Sequence, residues 1–174
     1  HVIRDDGADF RDMPWGRDGF EFCQGHQCWR GSNGSAVTST STRLPDGRHV
    51  SHLIDSRPMR CDYTFHHRGL RIPGAENNRN ILSRDLPDPR FVHFAFDPSG
   101  EYFVSDWVEG ADEQQHIERD TLVLAKVGLQ PDAKISPRKL LRPLTHFTSQ
   151  AAHPHPALSP DHKTVIFNSS AGTG

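Results

Sequence analysis

Along the chain, short runs in which apolar residues alternate with small, hydroxyl-bearing or acidic ones are separated by clusters of Pro, Gly, Asn and Ser, the signature of β-strands joined by tight turns. One arrangement recurs three times. Ser32-Asn33-Gly34-Ser35 leads into Ala36-Val37-Thr38-Ser39, Asp97-Pro98-Ser99-Gly100 into Glu101-Tyr102-Phe103-Val104-Ser105-Asp106, and Ser159-Pro160-Asp161-His162 into Lys163-Thr164-Val165-Ile166-Phe167-Asn168-Ser169. Each predicts a hairpin. The turns, centred near Asn33, Ser99 and Asp161, lie 66 and 62 residues apart, a spacing that signals a structural repeat.

A second hairpin follows in two of the units. Leu44-Pro45-Asp46-Gly47 stands between Thr38-Ser39-Thr40 and His49-Val50-Ser51-His52-Leu53-Ile54, and residues 121–127 run through a proline-containing loop into Lys139-Leu140-Leu141. Four strands per unit predict a propeller blade. The expected fold is therefore all-β, a β-propeller fragment of about three four-stranded blades over 22–90, 91–147 and an incomplete 148–174. A closed ring usually needs more blades, and the chain opens on His1 and stops at Gly174 directly after a strand-like run. The reading is a piece of a longer protein. Residues 56–90 are rich in Arg, Asn, Pro and His with almost no apolar periodicity, which predicts a long irregular insertion. Residues 112–119 alone have fair helix propensity, enough for one or two turns.

Composition narrows the possible partners. Twenty basic residues face 22 acidic ones, and no Lys/Arg-rich tract gathers positive charge, so nucleic acid is not expected as a partner. No apolar run approaches the roughly 18 to 20 residues that span a bilayer, and no membrane partner is expected. The three cysteines, Cys23, Cys28 and Cys61, form no CxxC pair and are read as buried or free thiols. Their pairing to nothing suits a reducing compartment.

The 12 histidines change the picture. Gln150-Ala151-Ala152-His153-Pro154-His155-Pro156 stands immediately before the third repeat's first strand. In extended backbone His153 and His155 project to one face, and the two prolines keep that backbone extended. Two imidazoles side by side make a chelating pair, and the Gln150 amide oxygen lies close enough to add to it. An isolated H-x-H is also what a polar loop entering a strand contains. A third imidazole shifts the balance toward a metal: His93 precedes its turn at Ser99 by six residues, as His155 precedes Asp161. His26 precedes Asn33 by seven, in nearly the same phase. Equivalent positions on neighbouring blades converge at one mouth of the channel.

The S-P-D-x-K turn is similar to that of TolB-like propeller repeats. The longer string Gln150-x-x-His153-Pro154-His155-Pro156-x-x-Ser159-Pro160-Asp161-x-Lys163-x-Val165-x-Phe167-x-Ser169 resembles the last complete blade motif of the oligogalacturonate lyases, pectin-degrading enzymes with a seven-bladed propeller. His26-x-x-Trp29 resembles the family's H-E-x-W segment, with Gln27 where that motif has Glu and Cys28 where it has an aromatic residue. His93 before a D-x-x-G turn resembles a metal-ligand histidine. The resemblance covers most of the chain apart from 56–90. It implies that His93, Gln150, His153 and His155 hold a divalent metal, most often Mn2+, that His26 is the catalytic base, and that the substrate is an oligogalacturonide cleaved by β-elimination in the cytoplasm. The family's substrate-facing arginine matches none of Arg4, Arg11 or Arg17.

Two other readings are open. A TolB-like propeller can bind a partner without chemistry, its histidines incidental; a metal-dependent hydrolase needs a carboxylate or hydroxide generator beside the metal, and Asp106 is the nearby acid that the sequence offers. The remaining candidates are His66-His67 in a solvated loop, Trp107 as a sugar platform or core aromatic, and Arg68, Arg71, Arg79 and Arg84 as carboxylate partners. His49 and His52 have opposite strand parity and cannot face one ligand. Cys23 and Cys28 flank His26 at a spacing that matches zinc poorly. Both readings that invoke a metal require the histidines to meet at one point.

Overall fold

A computed structural model describes residues 1–15, 21–59, 75–83, 90–108, 120–130, 134–145 and 153–170. The chain is all-β. Strands β1 (Glu21–Trp29), β2 (Ala36–Arg43), β3 (His49–Ser56) and β4 (Asn80–Ile81) form one antiparallel sheet in sequential order, with a 3-10 turn at Ala75–Asn78 before its last strand. A second sheet repeats the order with β5 (Arg90–Phe96), β6 (Tyr102–Val108), β7 (Asp120–Val127) and β8 (Ile135–Leu141), and β9 (Ala157–Leu158) pairs with β10 (Val165–Ile166) in a two-stranded ribbon. Among the described residues no helix is long and apolar enough to cross a membrane.

The repeat seen in the sequence is a repeat of backbone hydrogen bonds. The last paired positions of the three leading hairpins are Trp29/Ala36, Phe96/Phe103 and Leu158/Val165, each enclosing a turn of six residues. Each turn closes with the same bond, from Arg30 N to Ser35 O, Asp97 N to Tyr102 O and Ser159 N to Thr164 O, all at 2.9 Å. Side chains reinforce them. Asn33 Oδ1 accepts from Ser35 N, Asp97 Oδ1 from Tyr102 N and Asp161 Oδ1 from Lys163 N, the local bonding that makes Asn and Asp turn residues.

Strands in the middle of the sheets do not alternate inside and outside. Residues 36–40 of β2 are buried without interruption, as are 103–106 of β6, because both faces of each sheet are covered. Small residues serve this best, and Thr38, Ser39, Thr40 and Ser105 all lie inside. One apolar cluster joins the sheets: Val37, Leu53 and Leu82 from the first meet Phe91, Phe94, Phe103, Val123, Ala125, Val127 and Ile135 from the second. Phe91 and Phe103 pack edge to face at 5.3 Å, a favoured aromatic geometry. The outer strand β8 is largely exposed and carries Pro137, which an edge strand tolerates.

The sheets are also pinned by a buried arginine. Arg30, directly after β1, is 2% exposed. Its guanidinium donates to Asp55 Oδ2 at 2.6 Å in its own sheet, to Gly100 O at 3.0 Å in the β5–β6 turn, and to Gly128 O at 2.8 Å just after β7. Next to it Gly31 adopts φ +55°, and a Cβ there would strike Pro98 O and lie 2.5 Å from Gly100 N. Gly31→Ala is expected to lose about 1–2 kcal/mol from the left-handed backbone alone, with the clash in addition. Urea unfolding followed by circular dichroism measures the loss; a midpoint unchanged from wild type would refute the close approach.

The structure departs from expectation within the 56–90 insertion, where β4 pairs with β3. Its two residues are too few for periodicity to signal. They are held by Leu82 N donating to Leu53 O and by Ser83 Oγ accepting from Leu53 N, each at 2.8 Å. In the third unit the ladder is shorter than the 163–169 pattern suggests. Pro156 has no N–H to give the ladder beyond Ala157, and Asn168 N instead donates to Pro154 O at 2.8 Å.

Candidate metal centre

Three histidines meet where the three units adjoin. β1 lies against β5 and β5 against β9, so the first strand of each unit faces its counterpart. Counting back three positions from the last paired residue of each leading hairpin reaches His26, His93 and His155. Their phase is therefore the same. The single-residue offset of His26 in the sequence arises because Asn33 is equivalent to Gly100 and His162, and Ser32 to Ser99 and Asp161.

His26 and His93 both stand on β-bulges. The register shifts between Cys23 and Gln27 in β1 and between Phe91 and Phe94 in β5, and a bulge re-aims the side chain it carries. The two are built alike: Thr38 Oγ1 donates to His26 O at 3.2 Å and Ser105 Oγ to His93 O at 2.8 Å. His155 is also out of regular strand geometry, with φ +41°.

The ligating atoms of His93, His153 and His155 all lie within 4.8 Å of one another. Donors about 2.1 Å from a tetrahedral ion lie about 3.4 Å apart, so the three would close by up to about 1.4 Å on binding one. The residues present fit a divalent ion. Three imidazoles favour a borderline first-row metal over calcium or magnesium. His93 is central, its ring centroid 4.0 Å from that of His155 and 5.3 Å from that of His153. It is buried, His153 partly so and His155 exposed, which leaves the cluster open on one side. That side is a cavity of about 270 Å³ lined by His26, Gln27, His93, Phe94, His155 and Pro156.

His26 reaches the same cavity without belonging to the cluster; its ring sits edge-on to His93 at 4.5 Å. Burial holds its imidazole below the ordinary value of 6.5, and repulsion from the other three histidines adds to this against the attraction of Asp106. Burial lowers His153 as well, helped by His93. Both therefore stand as neutral imidazoles at pH 7, the form that can coordinate a metal or accept a proton.

Behind His93 lies Asp106, 2% exposed. Its Oδ1 accepts from His93 N and its Oδ2 sits against His93 Nδ1, each at 2.6 Å. Both oxygens are thus engaged by His93, so Asp106 is not placed as a free carboxylate beside the cluster. The Asp106–His93 contact is absent from the sequence reading, because it depends on the bulge that places two residues, Val92 and His93, opposite Asp106.

Gln150 lies outside the described residues, as do Cys61, His66, His67, Arg68, Arg71, Arg84 and the 112–119 segment, and the side chains of His49 and Trp107. Arg79 lines a different cavity with Arg30, Asp55 and Arg57. No family model matches the chain, and neither a curated protein nor a solved structure matches it. The histidine cluster is therefore read from its own geometry.

The two described cysteines are free thiols beside the site. Cys23 is exposed, with its Sγ 3.1 Å from Thr38 Oγ1. Cys28 packs with Phe96 against the apolar core, and burial pushes its thiol from 9.0 up to about 12. Because the folded state favours the protonated thiol, Cys28 contributes stability below the unfolded value near 9 that is lost as pH rises toward 12. Iodoacetamide at pH 8 is expected to alkylate Cys23 and spare Cys28. Peptide mass mapping of folded protein checks this; equal labelling of both would show the pocket around Cys28 to be open.

Proposed function

We propose that this chain is part of a β-propeller oligogalacturonate lyase, in which His93, His153 and His155, with Gln150, hold a divalent ion, most closely Mn2+, and His26 is the base. The observation that carries this reading is the convergence of three histidines from two different units, with the phase-equivalent histidine of the remaining unit facing the same cavity. The propeller form is supported by the two sequential four-stranded antiparallel sheets and by the contact of each unit's first strand with the next, since the first strand of a blade lines the channel.

A bound divalent ion supplies electrophilic stabilisation of the charge that a uronate carboxylate gathers when C5 is deprotonated. The chain supplies the rest. A ring nitrogen of His26, neutral because burial and its cationic-prone neighbours disfavour a charge, accepts the C5 proton. The electron pair released at C5 forms the C4=C5 bond, the C4–O bond breaks, and the departing oxygen takes a proton from solvent. His93, His153 and His155 fix the carboxylate end relative to His26, and Phe94 and Pro156 cover part of the cavity wall. No hydrolytic water takes part.

Trigalacturonate incubated with the protein and Mn2+ tests the reading through the near-ultraviolet absorbance of an unsaturated uronate. A rise that is lost on chelation is expected. Cleavage without the chromophore would mean hydrolysis, and a protein that binds metal and oligogalacturonide without cleaving either bond would be the binding module instead.

A further inference from the structure

The three units differ chemically at one position. Beside the bulge or its equivalent in each leading hairpin stands a residue of the returning strand: Ser39 in the first unit, Asp106 in the second and Asn168 in the third. Around it the units are otherwise alike. A hydroxyl from the preceding residue, Thr38 or Ser105, holds the carbonyl of the unit's histidine in the first two. Only Asp106 brings a carboxylate. Asn168 donates its side-chain N–H to His153 O at 3.2 Å, and Ser39 brings a hydroxyl in place of a carboxylate opposite residues 24–26.

We propose that Asp106 is a positioning residue that makes His93 a metal ligand and distinguishes it from its equivalent His26. The buried carboxylate grips His93 at two points, the backbone N–H through Oδ1 and ring Nδ1 through Oδ2. The first bond replaces the ladder partner that the bulge removes. The second places a proton on Nδ1, because a carboxylate only accepts at neutral pH, so Nε2 is the donor that His93 presents to the cluster. A carboxylate behind a ligating imidazole also strengthens its basicity, the usual outer-shell arrangement of a histidine-bound metal.

His26 occupies the same phase, on a bulge one residue longer, and the residue at the equivalent position is Ser39, which brings no carboxylate. Its ring is not committed to one tautomer by a carboxylate, which suits a group that gains and loses a proton. In the first two units the residue opposite the bulge, Ser39 or Asp106, thus separates a base from a ligand.

This inference rests on the metal-centre reading above, and two measurements separate their failures. In metal-free wild-type protein with 15N-labelled histidine, long-range 1H–15N correlation spectra report the His93 tautomer. A proton on Nδ1 is expected; a proton on Nε2 overturns the positioning role whatever the metal does. Calorimetric titration with Mn2+ alone then compares wild type with Asp106→Asn. The asparagine keeps an oxygen for His93 N and turns its amide N–H toward Nδ1, moving the ring proton to Nε2. Affinity is expected to fall about 10- to 100-fold, with the tautomer reversed and the far-ultraviolet circular dichroism retained. Equal affinity in the two proteins overturns the proposal. A wild type that takes up no Mn2+ overturns the metal-centre reading instead, and the tautomer spectrum still decides what Asp106 does. Should Asp106→Asn fail to fold, the same spectrum carries the decision.

Discussion

Arg30→Met is expected to lower the stability of the folded chain by about 3–5 kcal/mol, the usual cost of removing one partner from a buried ion pair. The methionine keeps much of the volume, so the loss isolates the guanidinium. It strands the Asp55 carboxylate and the carbonyls of Gly100 and Gly128, three acceptors from separate strands or turns that now share a single donor group. The side chains of Arg30 and Asp55 are 3% and 12% exposed, so water does little to replace the lost partner. Urea unfolding with the double variant Arg30→Met/Asp55→Leu completes a cycle. The double variant is expected to recover part of the loss, because the stranded charge is gone. A single-variant loss below about 1 kcal/mol, the level of a surface ion pair, would mean that the apolar cluster alone holds the two sheets together.

His153→Ala/His155→Ala and His26→Ala are expected to fail in opposite ways. The double variant removes two of the three described candidate ligands; the wild type is expected to leave purification with near-stoichiometric metal and the double variant without it, with elimination lost alongside. His26→Ala is expected to keep its metal, since His26 is outside the cluster, and to lose about 10²- to 10⁴-fold in elimination rate, the range for a positioned general base. Metal content by mass spectrometry and initial rates on trigalacturonate give both readings on one preparation. Metal retained by the double variant would place the ion elsewhere. An unchanged rate in His26→Ala would take the base role from it.

How much of this was legible in the sequence depends on how local each feature is. The hairpin turns were legible because Asn33-Gly34, Pro98-Ser99-Gly100 and Pro160-Asp161 carry their own conformational preferences. His153 and His155 do come together, but not on the extended backbone that their prolines predict: His155 adopts φ +41°, a left-handed conformation that period-two reasoning does not supply. His93 followed from its distance to a turn. His26 was found but one residue out of phase, because turn residues mark the turn without marking strand register. Arg30 was not singled out, since an arginine in a polar turn reads as solvated and its carbonyl partners lie 70 and 98 residues away. Asp106 stands in the sequence as an acid with no visible partner. Its partner is set by a bulge, and nothing in Phe91-Val92-His93-Phe94 announces one. Non-local contacts and irregular register are what periodicity cannot encode.

The left-handed backbone of His155 puts folding and chemistry in opposition at one residue. At φ +41° a side chain with a Cβ costs about 1–2 kcal/mol that glycine would not, and asparagine offsets part of that cost by bonding to its own backbone. Selection for stability alone would favour either replacement there. The imidazole stands on backbone that disfavours it, so position 155 is one at which a stability-guided redesign of this chain is expected to raise its melting temperature while removing a candidate ligand.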